Sequence, residues 1–154
     1  MIPDKWERKG HYAFIEAWKF PKELSEFIKD WLKNLKIDEK DLAHLMCGKS
    51  KIGNPRIDIN PLLKPDIVAD VFDLVKTNVK FKNVLVDPPW KIPYHKRILF
   101  SYAVRDLTKK GGLILFNCPW NPEVKGLKFI RVYKIVPRFN LYRDLVDIWL
   151  FEKL

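Results

Sequence analysis

Glutamine is missing from this 154-residue chain, and cysteine, methionine and histidine occur only two, two and three times. Cys47 and Cys118 stand far apart, with no Cys-x-x-Cys or Cys/His ligand spacing, which argues against a zinc site and fits a reducing, cytoplasmic setting. His11, His44 and His95 show no metal spacing either, so no metal is expected, and His44 reads as a residue of a core strand. No apolar run approaches the roughly 20 residues of a membrane span. The opening Met1-Ile2-Pro3-Asp4-Lys5 is not a signal peptide. Repeats and low-complexity tracts are absent.

Positive charge is abundant. Lys and Arg number 29 against 19 Asp and Glu, a formal net charge of +10. Such a chain favours a polyanionic partner, because each phosphate it neutralises releases counterions. The absence of Gln beside so much Lys also fits a thermophile's surface, and the two readings are compatible. The length predicts one domain over residues 1–154, large enough to bury a core without a disulfide or metal.

Pro21 marks a helix start, and Leu24, Phe27, Ile28, Trp31, Leu32 and Leu35 follow at helical spacing as its core-facing stripe. Short apolar runs predict strands at 42–47, 56–60, 66–70 and 83–87. A helix is expected over 94–107 with Ile98, Leu99, Tyr102, Ala103 and Leu107 inward, stopped by Lys109-Lys110-Gly111-Gly112. A fifth strand is expected at 113–117. Two more, at 129–136 and 145–152, form an antiparallel pair at one end of the sheet. This alternation argues for an α/β fold, a mostly parallel sheet with helices on both faces and a C-terminal antiparallel hairpin. Residues 49–55 are too few for a crossover helix, so the helix after the first strand is expected to be missing.

The strongest chemical feature is Asp87-Pro88-Pro89-Trp90, which follows a buried strand directly, where open α/β sheets place ligands. An aromatic amine is a poor nucleophile because its lone pair is delocalised into the ring. A carboxylate accepting one N–H and a backbone carbonyl accepting the other can draw the nitrogen toward tetrahedral geometry. Asp87 offers the carboxylate and Pro88 the carbonyl, on a rigid segment without amide donors. Trp90 offers a flat face for an extruded base, worth roughly 1–3 kcal/mol of stacking.

These residues resemble the class I S-adenosylmethionine-dependent amino-methyltransferases marked by [Asp/Asn/Ser]-Pro-Pro-[Tyr/Phe/Trp]. The resemblance runs from Phe20 to the end of the chain. It implies a Rossmann-like methyltransferase fold, S-adenosylmethionine as cofactor, and Asp87, Pro88, Pro89 and Trp90 as the catalytic loop. It further implies that Cys47, Gly48 and Lys49 form the glycine loop after the first strand, and that Asp58 holds the ribose hydroxyls. Asp70 would contact the adenine, and Phe20-Pro21 would open the cofactor side. Two departures stand out: the glycine motif has Gly48 and then Gly53 rather than Gly-x-Gly, and the crossover is short. Relatives that spell the loop Asp-Pro-Pro-Trp and act on messenger-RNA adenosine place the glycine motif after it.

The implied reaction is methylation of an exocyclic amino group of a nucleic-acid base in DNA or RNA, adenine N6 first, with cytosine N4 open. Lys96, Arg97 and Trp120 are candidate substrate-binding residues, with Phe100, Trp149 and Phe151 as further contacts or core. Asp73 is a candidate helix cap. Lys51 and the basic residues Lys125, Lys128, Arg131, Lys134, Arg138 and Arg143 are candidate phosphate contacts or solvated surface. Two alternatives remain: a guanine-amino RNA methyltransferase, and a non-catalytic nucleic-acid-binding subunit of the same fold. No segment is long enough for a target-recognition domain, which predicts low selectivity or a partner, either a second copy or a specificity subunit.

Overall fold

The computed structural model describes residues 22–89, 91–135 and 146–154. Phe20, Pro21, Trp90, Arg138 and Arg143 lie outside the described residues, as do the strand ends expected at Val136 and Leu145. The described elements are α1 (Lys22–Asn34), β1 (Leu42–Leu45), β2 (Arg56–Asp58), β3 (Ile67–Val68), α2 (Val71–Lys76), β4 (Asn83–Val86), α3 (Tyr94–Asp106), β5 (Leu113–Asn117), β6 (Leu127–Ile135) and β7 (Val146–Lys153). The seven described strands form one sheet in the order β3-β2-β1-β4-β5-β7-β6. Pairings from β3 across to β5 are parallel, and β7 runs antiparallel to both β5 and β6. The expected α/β sheet with a terminal antiparallel pair is what the chain forms.

The inner strands are buried on both faces, which is why they read as continuous apolar runs rather than alternating ones. Side-chain alternation still sorts them. Leu42, Leu85, Leu115, Ile148 and Leu150 face α1, packing on its Leu24, Ile28, Trp31 and Leu32. Leu45, Val84, Val86, Ile114, Phe116 and Phe151 face α2 and α3. Each fully buried large side chain contributes roughly 1.5–3 kcal/mol relative to exposure, so the α1 stripe alone supplies several times the cost of one lost contact. Placing an acid at Ile28 would break it.

The missing crossover helix is replaced by local pairing. Ile52 joins the α1-side core. Asn54 N–H donates to Leu42 O at 2.8 Å, and His44 N–H donates to Pro55 O at 2.9 Å. Gly53 N–H donates to Glu39 Oε1 at 2.8 Å. Gly53 has φ of +93°, and a Cβ there would lie 2.8 Å from His44 Cβ, so glycine lets the loop lie directly against β1. With α1 already covering this face, ten residues suffice to connect two adjacent parallel strands.

Leu35, expected on the inward stripe of α1, lies past the end of that helix and is 47% exposed, and two further expectations are corrected. In α3, Ile98 and Leu99 are 52% and 58% exposed, while Phe100, Ser101, Ala103, Val104 and Leu107 are buried. The helix carries apolar residues around much of its circumference, so the stripe could be drawn on the wrong side. The second concerns a cap. Asp70 caps α2 by accepting from Phe72 N–H at 2.7 Å, whereas Asp73 sits in the first turn and pairs with Lys76. The six-residue helix it opens was too short to show a period.

Candidate active site

At the carboxyl ends of the strands the chain changes direction between β1, which leads outward to β2 and β3, and β4, which leads to β5. This is the switch point where open α/β sheets leave a crevice. Gly48 follows β1 and Asp87 follows β4, and Asp87 N–H donates to Leu45 O at 3.2 Å. Asp87 is 5% exposed, and Pro88 and Pro89 behind it are buried.

The sheet register sets what Asp87 meets. Val84, Leu85 and Val86 lie beside Ile114, Leu115 and Phe116. The next position along each strand is Asp87 and Asn117, in step with Leu85 and Leu115 two residues earlier. Asn117 Nδ2 donates to Asp87 Oδ1 at 2.9 Å, while Asn117 Oδ1, equally buried, has no partner. The sequence places Asn117 only at the end of the fifth strand and does not show this contact. Its one signal was a polar residue closing an otherwise apolar strand.

Asp58, 2% exposed, closes β2. Its Oδ2 accepts from Gly48 N–H and its Oδ1 from Asn60 N–H, each at 2.9 Å. The carboxylate thereby ties the loop after β1, where Gly48 has φ of +54°, to the end of β2. Asn60 is buried too; its Oδ1 accepts from Leu62 N–H at 3.0 Å and its Nδ2 has no partner. Asp70 lies half-buried at the end of β3, and Lys49 is exposed. The structure therefore gathers Cys47, Gly48, Asp58 and Asp87 at one end of adjoining strands. Asp70 stands one strand further out.

Both cysteines are free thiols, buried and held protonated at neutral pH. Burial pushes the Cys47 thiol up to about 12, with the Asp58 charge adding to it, and burial raises Cys118 to about 12. His44 is fully buried on β1 and donates from Nδ1 to Ile52 O at 2.9 Å. Burial lowers it to about 4, so it is neutral at pH 7. Among the described residues no group of His, Cys, Asp and Glu could hold a metal ion.

The start of α3 and the loop after β5 line a cavity of about 290 Å³. The Arg97 guanidinium lies 4.4 Å from the centre of the Trp120 ring, and Arg97 Nε donates to Ile92 O at 3.1 Å. Tyr94 and Ile98, both exposed, line the same cavity. Trp149 is half-buried and donates from Nε1 to Cys118 O at 3.1 Å, while Phe100 and Phe151 are core.

Among the described residues, Lys49, Lys51, Lys91, Lys96 and Arg97, which flank the carboxyl ends of the strands, form no ion pair. The basic residues of β6 are differently placed. Lys128 and Lys134 pair with Glu152 and Asp147, and Arg131 lies over the Tyr133 ring. No described helix is long and apolar enough to cross a membrane.

No protein-family model matches the sequence, and no curated protein matches it. Solved structures do. A candidate RNA methyltransferase from Pyrococcus horikoshii superposes with a TM-score of 0.65 at 16% identity, covering 95% of this chain and 91% of that one. TrmN from Thermus thermophilus gives 0.58 at 14% identity over 73% of this chain, which spans 43% of TrmN. SMU.776, a candidate methyltransferase complexed with S-adenosylhomocysteine, gives 0.54 at 9% identity over 79% of this chain and 49% of that one. At these identities the likeness is one of fold. The chain has the Rossmann-like fold found in these methyltransferases.

Proposed function

We propose that this chain is an S-adenosylmethionine-dependent methyltransferase acting on an exocyclic amino group of a nucleic-acid base, with adenine N6 as the target. The observation that carries the reading is Asp87, buried beside the switch point, with Pro88 and Pro89 behind it. Support comes from the names of the structural neighbours, one an RNA methyltransferase candidate and one complexed with S-adenosylhomocysteine.

The crevice suits such a cofactor. Asn60 Nδ2 is a buried donor without a partner at the end of β2, beside the Asp58 carboxylate, and each Asp58 oxygen has a second lone pair. Cys47, Gly48, Lys49, Asp58 and Asp70 would hold the cofactor, together with Phe20 and Pro21. When bound, the cofactor supplies a methyl group on a sulfonium centre, activated without a metal. Asp87 would accept one N–H of the target amine and the Pro88 carbonyl the other, drawing the nitrogen toward tetrahedral geometry and its lone pair out of conjugation with the ring, and the proton the nitrogen loses on methylation would leave through Asp87 to solvent. Trp90 stacks on the base. Arg97 and Trp120 line the cavity at the start of α3 and would bind substrate there, and Lys96 stands with Lys49, Lys51 and Lys91 as an unpaired cation for backbone phosphates. Sequence selectivity is either low or supplied by a second copy or a specificity subunit.

The test is transfer of a radiolabelled methyl group to DNA and RNA, with nucleoside analysis of the product. N6-methyladenosine or its deoxy form is expected. Methylated guanine would move the target, and failure to bind S-adenosylmethionine in calorimetry would leave a non-catalytic nucleic-acid-binding subunit. Asp87→Ala should lower turnover far more than cofactor affinity, because the carboxylate acts as the methyl transfers. Wild-type turnover in that variant would overturn the assignment.

A further inference from the structure

We infer that Asn117 is the positioning residue of this site, its side-chain amide holding the Asp87 carboxylate in the orientation that methyl transfer requires. What Asp87 does rests on the function proposed above; the contact between the two residues does not. A carboxylate cannot donate, so the amide nitrogen of Asn117 must be the atom that faces Asp87 Oδ1, at 2.9 Å. Both residues are buried, and their meeting follows from the β4–β5 register, one step beyond Val86 and Phe116.

Packing alone gives no reason for an asparagine here. The preceding residue on the same face of β5 is Leu115, which packs in an apolar cluster. A leucine at 117, with the same branching, would bury no carbonyl oxygen that lacks a donor. A neutral amide is suited to the task in a way that lysine is not. It restricts rotation of the carboxylate without cancelling the charge the amine must meet. The segment that carries it is itself held: Trp149 Nε1 donates to Cys118 O, and Cys118 Sγ donates to Trp120 O at 3.2 Å. Asp87 is therefore preorganised from the neighbouring strand, which lowers the reorganisation needed during reaction.

The experiment uses the purified full chain and labelled S-adenosylmethionine, with unmethylated plasmid DNA and total RNA as the acceptors. Asn117→Leu removes the donor while keeping the branching of the side chain, and Asn117→Ala removes it with less bulk, should the leucine variant fail to fold. Each should lower kcat by about 10- to 100-fold, the scale expected for a misplaced reacting group. Cofactor Kd and polymer KM should stay within about threefold, since neither complex depends on this contact. Asp87→Ala combined with Asn117→Leu should be no slower than Asp87→Ala alone, because one residue acts through the other. Unchanged kcat in both single variants, or losses that multiply in the double variant, would overturn the inference.

A second measurement needs no turnover. In NMR spectra of the chain alone, the Asn117 side-chain amide protons should exchange slowly, and Asp87→Ala should shift and deprotect them. Fast exchange in the wild type, unaltered by Asp87→Ala, would refute the contact. A wild type that transfers no methyl group refutes the reaction instead, and the amide signals then decide for or against Asn117 by themselves.

Discussion

Replacing Asp58 by asparagine should do more damage than removing a charge suggests. The side chain is 2% exposed, and its two oxygens accept from Gly48 N–H and Asn60 N–H. Asparagine keeps one acceptor and turns an NH2 group toward the other N–H, so two donors face each other in a buried place. A hydrogen bond to a charged acceptor contributes about 1.5–3 kcal/mol, and a stranded buried donor costs about 1–3 kcal/mol. Part of the loss is common to both figures, so about 2–4 kcal/mol is expected, within the roughly 5–15 kcal/mol that holds a domain folded. In urea, monitored by tryptophan fluorescence, the midpoint should fall by roughly 1–2 M for a chain of this size. S-adenosylmethionine should bind more weakly in calorimetry, because the turn at Gly48 loses its anchor. Asp66→Asn is the control: Asp66 also accepts from a backbone N–H, that of Arg56 at 2.7 Å, but it is exposed. Its loss should stay under about 1 kcal/mol. An Asp58→Asn midpoint equal to that of wild type would refute the idea that this carboxylate holds the loop.

Three further outcomes are expected. His44, lowered to about 4 by burial, binds a proton in the unfolded chain near pH 6.5 and in the folded chain only near pH 4. Stability should thus be full above pH 6.5 and fall by about 3 kcal/mol as pH drops to 4, a component that His44→Leu removes when the two urea profiles are subtracted. A Cβ at Gly112 would lie 2.1 Å from Lys82 O and 2.9 Å from Lys109 O, so Gly112→Ala should lower stability by about 3 kcal/mol or more in the same assay. If Lys49, Lys51, Lys91, Lys96 and Arg97 meet phosphates, the logarithm of nucleic-acid affinity should fall linearly with the logarithm of salt concentration, and Lys96→Ala should make the slope shallower by about 1. Salt-insensitive binding would count against a polymer substrate.

Much of the architecture was open to reading because strand burial and turn chemistry are local. The run Asn83–Val86 is apolar and ends at prolines that cannot continue a ladder, and Leu113–Asn117 follows a Lys-Lys-Gly-Gly stop, so their bounds could be drawn closely. The inward face of α3 was less legible. Ile98 and Leu99 are apolar yet exposed, and only the packing of Phe100 and Val104 into the core selects one side. The helix Val71–Lys76 makes fewer than two turns, which is too short for a period to emerge.

The site divides along the same line. Residue order alone placed an acid and two prolines after one strand, an acid after another and a glycine after a third, and with them the chemistry those groups can offer. Which groups meet depended on the sheet. Asp87 finds Asn117 because β4 and β5 are adjacent and in register, and Asp58 finds Gly48 because β1 lies beside β2. These partners are 30 and 10 residues apart in the chain. Strand pairing is a long-range choice made by the burial of whole faces, so only the folded chain could determine which polar atoms would be satisfied and which would be left, as on Asn60 and Asn117, without a partner.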